Sequence, residues 1–384
     1  MTANSVRRVS PTFDIIIVGA GFAGAATATV LGRQGCRVAL IDPRADYPPE
    51  FKAEKLEPEH AEALRHLQLA ERLLPFAAPI HAVAEAQSGR VLRVRPIEQY
   101  GIRYQDMVKH LRRQIPGNVD FRIARVERIE TSPDLQSVIL DDGSCATARL
   151  VVMAAGTAPK VETMIGVKRR QIRSRHSLCA GFDIVTADGS AFPYDALTYW
   201  ADSPEQRIDF ISLFPVPGAM RVNLFGYLGP RDPWVRMLSE VPHAAIEQTM
   251  PKLSRVVGEW RSISKVEIRA IDLYVTDAPR IDGVVLIGDA SQSVCPATGT
   301  GIGKVLTDVD VLCQTHIPAW LDTPGMRAEK MASYYNDPRK TTCDDASLQA
   351  AEYRRQFITD RSLRWRVHRA SSYARIALAG MLQR

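Results

Sequence analysis

The 384-residue chain is 46% apolar and 24% charged, an ordinary balance for a globular protein of one large or two ordinary domains. Its formal charge of +6 sits at one end: residues 351–384 hold eight Arg against Glu352 and Asp360, so the other 350 residues sum to about zero. A diffuse nucleic-acid footprint is thereby excluded, and any electrostatic partner meets the C-terminal end.

Cysteines 36, 145, 179, 295, 313 and 343 show neither a C-x-x-C pair nor a His spacing that would build a zinc site, so reduced thiols in a cytoplasmic protein are expected. Arg7-Arg8 precede an apolar run without a separate apolar segment and cleavage site, which reads as a short disordered tail rather than an export signal. No window of eighteen uninterrupted apolar residues exists to span a membrane.

In chain order, Asp14-Ile-Ile-Ile-Val-Gly-Ala-Gly-Phe-Ala-Gly24 predicts a buried strand running into glycines 19, 21 and 24. Gly19 serves a tight turn, Gly21 lets the backbone approach a pyrophosphate, and Gly24 lets the following helix pack on the strand. The phosphates would sit at a helix N-terminus, where unpaired N–H groups and the helix dipole favour negative charge. A helix over 23–34 and a strand over 37–41 follow, and Asp42, eighteen residues past Gly24, is placed to bind an adenosine ribose. This complete series predicts dinucleotide binding but does not separate FAD from NAD.

Beyond a proline-rich segment, the patterns predict a helix over 59–69, strands over 80–84 and 91–94, a helix over 104–114, and a hairpin turned by Asp141-Asp142-Gly143. The run Leu150-Val-Val-Met-Ala-Ala155 reads as a strand buried on both faces, ending at Gly156. From 168 to 277 the texture is that of aromatic-rich antiparallel strands, with one helix over 234–250 and a turn at 215–218. Gly283-Val-Val-Leu-Ile-Gly-Asp289 then resumes the first fold as a buried strand ending in an acid. A long helix opens at Pro296-Ala-Thr-Gly-Thr-Gly301, and two more helical regions, over 327–335 and 347–382, complete the chain.

Gly288-Asp-Ala-Ser-Gln-Ser-Val-Cys-Pro-Ala-Thr-Gly-Thr-Gly301, followed by Asp308 and Asp310, resembles the second FAD signature of flavoproteins with the p-hydroxybenzoate hydroxylase fold. It begins 264 residues past Gly24, in the order that family requires. The resemblance implies an α/β fold: a Rossmann-type, glutathione-reductase-like FAD-binding domain (12–167 and 279–322), an inserted antiparallel-sheet substrate domain (168–278) and C-terminal helices (323–384). It implies non-covalent FAD held by Gly19, Gly21, Phe22, Ala23, Gly24, Asp42, Pro43, Lys52, Val126, Ala155 and Gly156 from the first half. From the second it implies Asp289 on the ribityl or ribose region and Pro296, Gly299, Gly301 and Ile302 along the isoalloxazine. Backbone N–H groups at that helix start would stabilise the anionic reduced flavin.

The activity implied is an FAD-dependent monooxygenase that inserts one oxygen atom into an aromatic or lipophilic small molecule through a flavin C4a-hydroperoxide. The alternatives on the same fold are a reductase of the geranylgeranyl-reductase type, weakly echoed by Phe214-Pro215 and Val222-Asn-Leu, and a flavin halogenase, whose Trp-x-Trp-x-Ile-Pro signature is absent. A chain that binds FAD without turnover is a fourth reading. Where hydroxylases of the family carry Asp-Gly-x-x-Ser-x-Val-Arg, this chain has Ala155-Gly-Thr-Ala-Pro-Lys-Val161-Glu. The electron donor is therefore NAD(P)H or reduced flavin, with a separate reductase as a partner. No acid or base for catalysis can be picked from the residues.

Cys295 is read as a small buried hydrophobe beside the flavin rather than a redox group. Of Phe192, Tyr194, Tyr199, Trp200, Phe210, Phe214, Phe225 and Tyr227, two or three are expected to face a substrate and the rest to be sheet core. The Arg-rich C-terminal region, where Arg361, Arg364, Arg366, Arg369 and Arg375 interleave with Leu363, Trp365, Val367, Ile376, Leu378, Met381 and Leu382, reads first as a helix packed on the body with solvated arginines. The second reading is a helix lying on an anionic membrane surface.

Overall fold

The computed structural model describes residues 12–277 and 281–381; the stretch holding Arg7 and Arg8, and Leu382, lie outside the described residues. Two sheets organise the chain. The first has seven strands, in the spatial order Asp120–Ile123, Val38–Asp42, Phe13–Val18, Cys145–Met153, Gln136–Leu140, Val126–Glu130, with Val284–Leu286 also paired to Cys145–Met153.

Apolar residues fill the Phe13–Val18 and Cys145–Met153 strands because both faces of this sheet are covered. Ile15, Ile17, Leu150 and Val152 pack against the helices Phe22–Arg33, Tyr104–Arg112 and Thr300–Asp310. Their alternates Ile16, Val18, Val151 and Met153 pack on the opposite side with Val126, Val138 and Leu140. Cys145–Met153 also divides one of its edges: residues 145–148 run antiparallel to Gln136–Leu140, and residues 151–153 parallel to Val284–Leu286. Gln136 fills the join, its Nε2 donating to the carbonyls of Ser132 and Arg149, and a Cβ on Gly283 would come within 2.0 Å of that amide.

The second sheet has nine strands, ordered Trp260–Ser262, Arg169–Thr186, Ala219–Gly226, Ile208–Val216, Ala196–Trp200, Ala78–Gln87, Arg90–Gly101, Lys55–Leu56, with Glu267–Thr276 also on Arg169–Thr186. It reaches outside the segment 168–278: three of its strands, Lys55–Leu56, Ala78–Gln87 and Arg90–Gly101, come from the first stretch of the chain, and Ala78–Gln87 pairs parallel with Ala196–Trp200. These hairpin strands run ten and twelve residues, longer than the apolar runs predict, because Glu85 and Arg93 pair across them at 2.8 Å instead of ending them.

Two helical readings are corrected. The helix expected over 234–250 is two, Pro233–Glu240 and Pro242–Thr249, since Pro242 has no N–H to continue the first ladder. The helix expected over 347–382 begins earlier and is broken at 360–362, giving Pro338–Thr359 and Leu363–Met381. No helix among the described residues is long and apolar enough to cross a membrane.

Candidate active site

A cavity of about 1380 Å³ runs between the two sheets and reaches the helix Pro338–Thr359. One end is built by the first glycine series. Gly19 has a φ of +98°, and a Cβ there would lie 2.6 Å from the Ala154 carbonyl oxygen; at Gly24 it would lie 1.8 Å from the Gly19 oxygen. Both glycines are thus required by packing. Gly21 differs, for a Cβ there meets nothing nearer than 3.9 Å and would project toward the cavity. Gly21 also starts the helix Phe22–Arg33 without a side-chain cap, leaving its first N–H groups to whatever occupies that space.

Asp42 is fixed beside this end: Ala20 N–H donates to Oδ2 at 2.8 Å and Arg44 N–H to Oδ1 at 2.9 Å, with Arg112 at 3.4 Å. Each carboxylate oxygen retains a lone pair, so hydroxyl donors can still bind. Arg112 clamps the surrounding loops through the carbonyls of Ala20, Arg44 and Ala45.

The middle of the cavity joins Lys52, Glu50, Tyr104 and Asp289. Lys52 Nζ lies 3.3 Å from Glu50 and 5.2 Å from the Tyr104 ring centre. Burial works against its charge, yet Tyr104, Asp289 and Glu50 together hold the ammonium above its ordinary value. The Asp289 carboxylate has no hydrogen-bond donor among the described residues, while its backbone carbonyl accepts from Tyr274 at 2.8 Å. Gly299, at φ +70°, starts the helix Thr300–Asp310, again without a side-chain cap. An extended dinucleotide fits these features: two uncapped helix starts, one of them opened by Gly21, and a carboxylate without a hydrogen-bond donor among the described residues all face one cavity.

The far end is a face of the second sheet. Cross-strand register sets Trp200, Phe210, Phe225 and Cys179 in one row, with ring centres 5.2 Å apart for Trp200–Phe210 and 4.8 Å for Phe210–Phe225. The next row is Glu85, Thr198, Ser212 and Asn223. Both rows line the cavity. The hydroxyls of Thr198 and Ser212 make no side-chain hydrogen bond among the described residues, and the buried Trp200 Nε1–H has no acceptor. Arg354, on Pro338–Thr359, closes this end with its guanidinium 4.7 Å from the Trp200 ring centre and Nε and Nη2 on the carboxylate of Asp209. Burial pushes the Asp209 carboxyl up to about 6 against the pull of Arg354.

Of the residues expected to hold a cofactor, Gly19, Gly21, Phe22, Ala23, Asp42, Pro43, Lys52, Val126, Ala155, Gly156, Asp289, Pro296, Gly299, Gly301 and Ile302 line this cavity, whereas Gly24 is buried beneath it. Among the aromatic candidates Trp200, Phe210, Phe214 and Phe225 line it. Tyr199 is core, donating to Asp202, and Phe192, Tyr194 and Tyr227 pack elsewhere. Cys295 is fully buried, 3.6 Å from Ser177 Oγ, with its thiol raised by burial. No cluster that could hold a metal exists among the described residues.

The sequence reading missed Tyr47, Glu50, Glu54, Tyr104, Arg112, Arg269 and Arg354, all joined to the cavity or its walls. Arg221, a charged residue in a strand that is otherwise apolar except for Asn223, was the available signal that a carboxylate cluster lay opposite. For Arg354 there was none, since its partner Asp209 lies 145 residues away.

The FAD binding domain family model matches residues 12–317. The chain is 25% identical to a kynurenine 3-monooxygenase of Salinispora tropica, over 96% of this chain and 84% of that protein. It is 24% identical to a digeranylgeranylglycerophospholipid reductase of Methanopyrus kandleri, over 76% and 73%. In structure it resembles the p-nitrophenol 4-monooxygenase PnpA of Pseudomonas putida DLL-E4, with a TM-score of 0.74, 18% identity and coverage of 97% and 95%.

Proposed function

Because the chain belongs to the FAD binding domain family, as an FAD-dependent monooxygenase with the p-hydroxybenzoate hydroxylase-like fold, we propose that it oxygenates a planar aromatic small molecule bearing a hydroxyl or amino group. The observation that carries this reading is the pair of rows on the second sheet, aromatic at Trp200, Phe210 and Phe225 and hydrogen-bonding at Thr198, Ser212 and Asn223, which line the same cavity as the cofactor glycines. Rings stack on the first row while polar substituents pair with the second.

When bound, FAD supplies the redox chemistry and the activation of dioxygen. In this proposal Gly21, Phe22 and Ala23 give the pyrophosphate its backbone donors over the turn that Gly19 makes, the Gly19 N–H itself being bonded to the Ile41 carbonyl, and Asp42 takes the ribose hydroxyls, with Pro43 and Val126 beside the adenosine. Lys52, Ala155, Gly156 and Asp289 hold the middle of the cofactor, and Pro296, Gly299, Gly301 and Ile302 hold its ring. The Thr198 and Ser212 hydroxyls orient the substrate, and Arg354 with its aromatic neighbours closes that end to water.

The test is labelled-oxygen turnover. FAD-loaded protein, supplied with reduced flavin and a panel of phenols and anilines, should yield a product carrying one heavy oxygen atom from labelled dioxygen. Oxygen consumption across the panel with no label incorporated overturns the proposal.

We further propose that the helix Leu363–Met381 docks on an anionic membrane surface. It packs inward through Trp365, His368 and Tyr373, and Arg369 is buried on the carbonyls of Phe357 and Asp360. Its outer face bears Leu363, Val367 and Leu378, with Arg364, Arg366 and Arg375 also exposed. The packed reading describes the inner face of this helix, and the membrane proposal concerns its outer face. An apolar stripe flanked by arginines is the pattern that binds anionic lipid headgroups.

A further inference from the structure

We propose that Glu54 is the proton-transfer residue of the substrate end of the cavity, taking the proton of an ionisable O–H or N–H on the aromatic substrate; this rests on the aromatic-substrate reading above. The residue stands between Lys52 and the strand Lys55–Leu56, and its carbonyl accepts from Ile102 N–H at 2.9 Å, which pins the loop. Its side chain is almost wholly buried, yet it lines the cavity beside Asn223.

Glu54 belongs to a buried cluster with unequal charge. Arg221 donates from Nε to Glu54 Oε2 at 2.7 Å, from Nη1 to Asp183 at 3.2 Å and from Nη2 to Glu267 at 2.7 Å; Arg103 also pairs with Asp183. Asn223, its amide turned so that nitrogen donates, reaches the same Oε2 at 3.1 Å. Three carboxylates therefore share two guanidiniums. The neighbouring cations are engaged elsewhere, Lys55 on Glu57, and Lys52 and Arg269 on Glu50 at the cofactor end; the Cys179 thiol nearby is itself raised by burial. Of the three carboxylates, Asp183 is shared by both guanidiniums and Glu267 is partly exposed to water. The unneutralised charge falls on Glu54, the deepest of them.

Burial pushes the Glu54 carboxyl up, and Arg221 pulls it back, leaving it at about 7. A group poised there exchanges protons most effectively at neutral pH. In the step proposed, the substrate O–H or N–H bond breaks, the proton passes to a Glu54 carboxylate oxygen, and the electron pair stays on the substrate heteroatom. Nothing is oxidised or reduced, and the ring becomes richer in electrons before it meets oxygen.

Infrared titration of the FAD-loaded protein tests this directly. A protonated-carboxyl band should disappear with a midpoint near neutrality and be missing in Glu54→Gln. Glu267→Gln, which removes a negative neighbour through a partly exposed side chain, should move that midpoint to lower pH, and it keeps the proposal testable if Glu54→Gln does not fold. No band titrating near neutrality, a band unchanged in Glu54→Gln, or a midpoint unmoved by Glu267→Gln overturns the assignment. 4-Nitrophenol, whose ionisation is visible by colour, provides the second readout: wild type should bind it as the phenolate and Glu54→Gln as the phenol. Equal ionisation in both removes the role of Glu54 alone. No binding to wild type, with the carboxyl band present, removes the aromatic-substrate reading and the role with it.

Discussion

Gly288 and Asp308 are tied across the start of the second glycine-rich loop: the Gly288 N–H donates to Asp308 Oδ2 at 2.8 Å, and the same buried carboxylate takes Lys304 at 2.9 Å and Lys340 at 2.8 Å. Asp344 completes the set, accepting from Lys340 at 2.9 Å. The loop that presents Asp289 to the cavity is thereby bolted both to its own helix and to Pro338–Thr359.

Removing Asp308 would leave two buried ammonium groups sharing one carboxylate. Asp308→Asn is expected to cost about 3–5 kcal/mol, read as a lower urea midpoint together with reduced FAD content. The wild type should show the matching acid sensitivity. Burial alone would raise the Asp308 carboxyl, but Lys304 and Lys340 outweigh it and hold it down at about 2, below its ordinary 3.8. The native state therefore binds this proton more weakly than the unfolded chain. About 2 kcal/mol of stability is present above pH 3.8 and lost as pH falls through 2. Urea midpoints measured from pH 5 downward check the sign.

Gly21 and Gly24 should separate cofactor binding from folding. Gly21→Val is expected to fold with nearly unchanged stability and to purify colourless, as is Asp289→Ala. Gly24→Ala drives a methyl into the Gly19 carbonyl oxygen and should destabilise by about 2 kcal/mol or more. Thermal melts alongside flavin absorbance decide it, and full colour in Gly21→Val would contradict the assignment. In wild type, acid denaturation should leave the yellow colour in the supernatant, because the cofactor is held without a covalent bond.

Arg354→Ala strands the fully buried Asp209 and should cost about 3–5 kcal/mol. The double change Asp209→Leu with Arg354→Met should recover most of that loss, since an apolar pair replaces a buried ion pair with little penalty. A thermodynamic cycle from urea unfolding measures the coupling.

Intact protein should co-sediment with anionic liposomes at low salt and be released as ionic strength rises, because exposed charges are screened over about 10 Å at 0.1 M. Leu363→Asp with Val367→Asp should abolish sedimentation and leave FAD bound. Deleting the helix is a poorer test, for it would also strip Trp365 from its packing on Tyr353 and Phe357.

Reduction of the bound flavin by NADPH should be slow compared with turnover driven by reduced flavin from a separate reductase. The motive is Ala155 and the Glu that follows Val161 where NADPH-using relatives of this fold carry Asp and Arg. Stopped-flow absorbance with NADPH measures it, and a rate matching turnover contradicts it.

What the sequence disclosed was what short spacing encodes. Glycines 19, 21 and 24 with Asp42, and Gly288 with Asp289, carry their geometry within a few dozen residues, so the cofactor end was legible. The substrate end depends on register. Nothing local announces that Ser212 lies between Thr198 and Asn223, or that Arg354 returns to Asp209. Glu54 shows the limit most clearly, since its protonation is set by burial together with Arg221 and Glu267, which approach it from strands far along the chain.

The split pairing of Cys145–Met153 carries a consequence for synthesis. Residues 151–153 wait for Val284–Leu286, about 130 residues later, and at ribosomal speeds of about 5–20 residues per second that is on the order of ten seconds. For that interval the nascent chain offers a bare apolar strand edge, Val151-Val152-Met153, to any neighbouring strand. Truncated products that stop before residue 284 keep that edge open permanently, so they should collect in inclusion bodies or on chaperones, whereas the finished chain closes it.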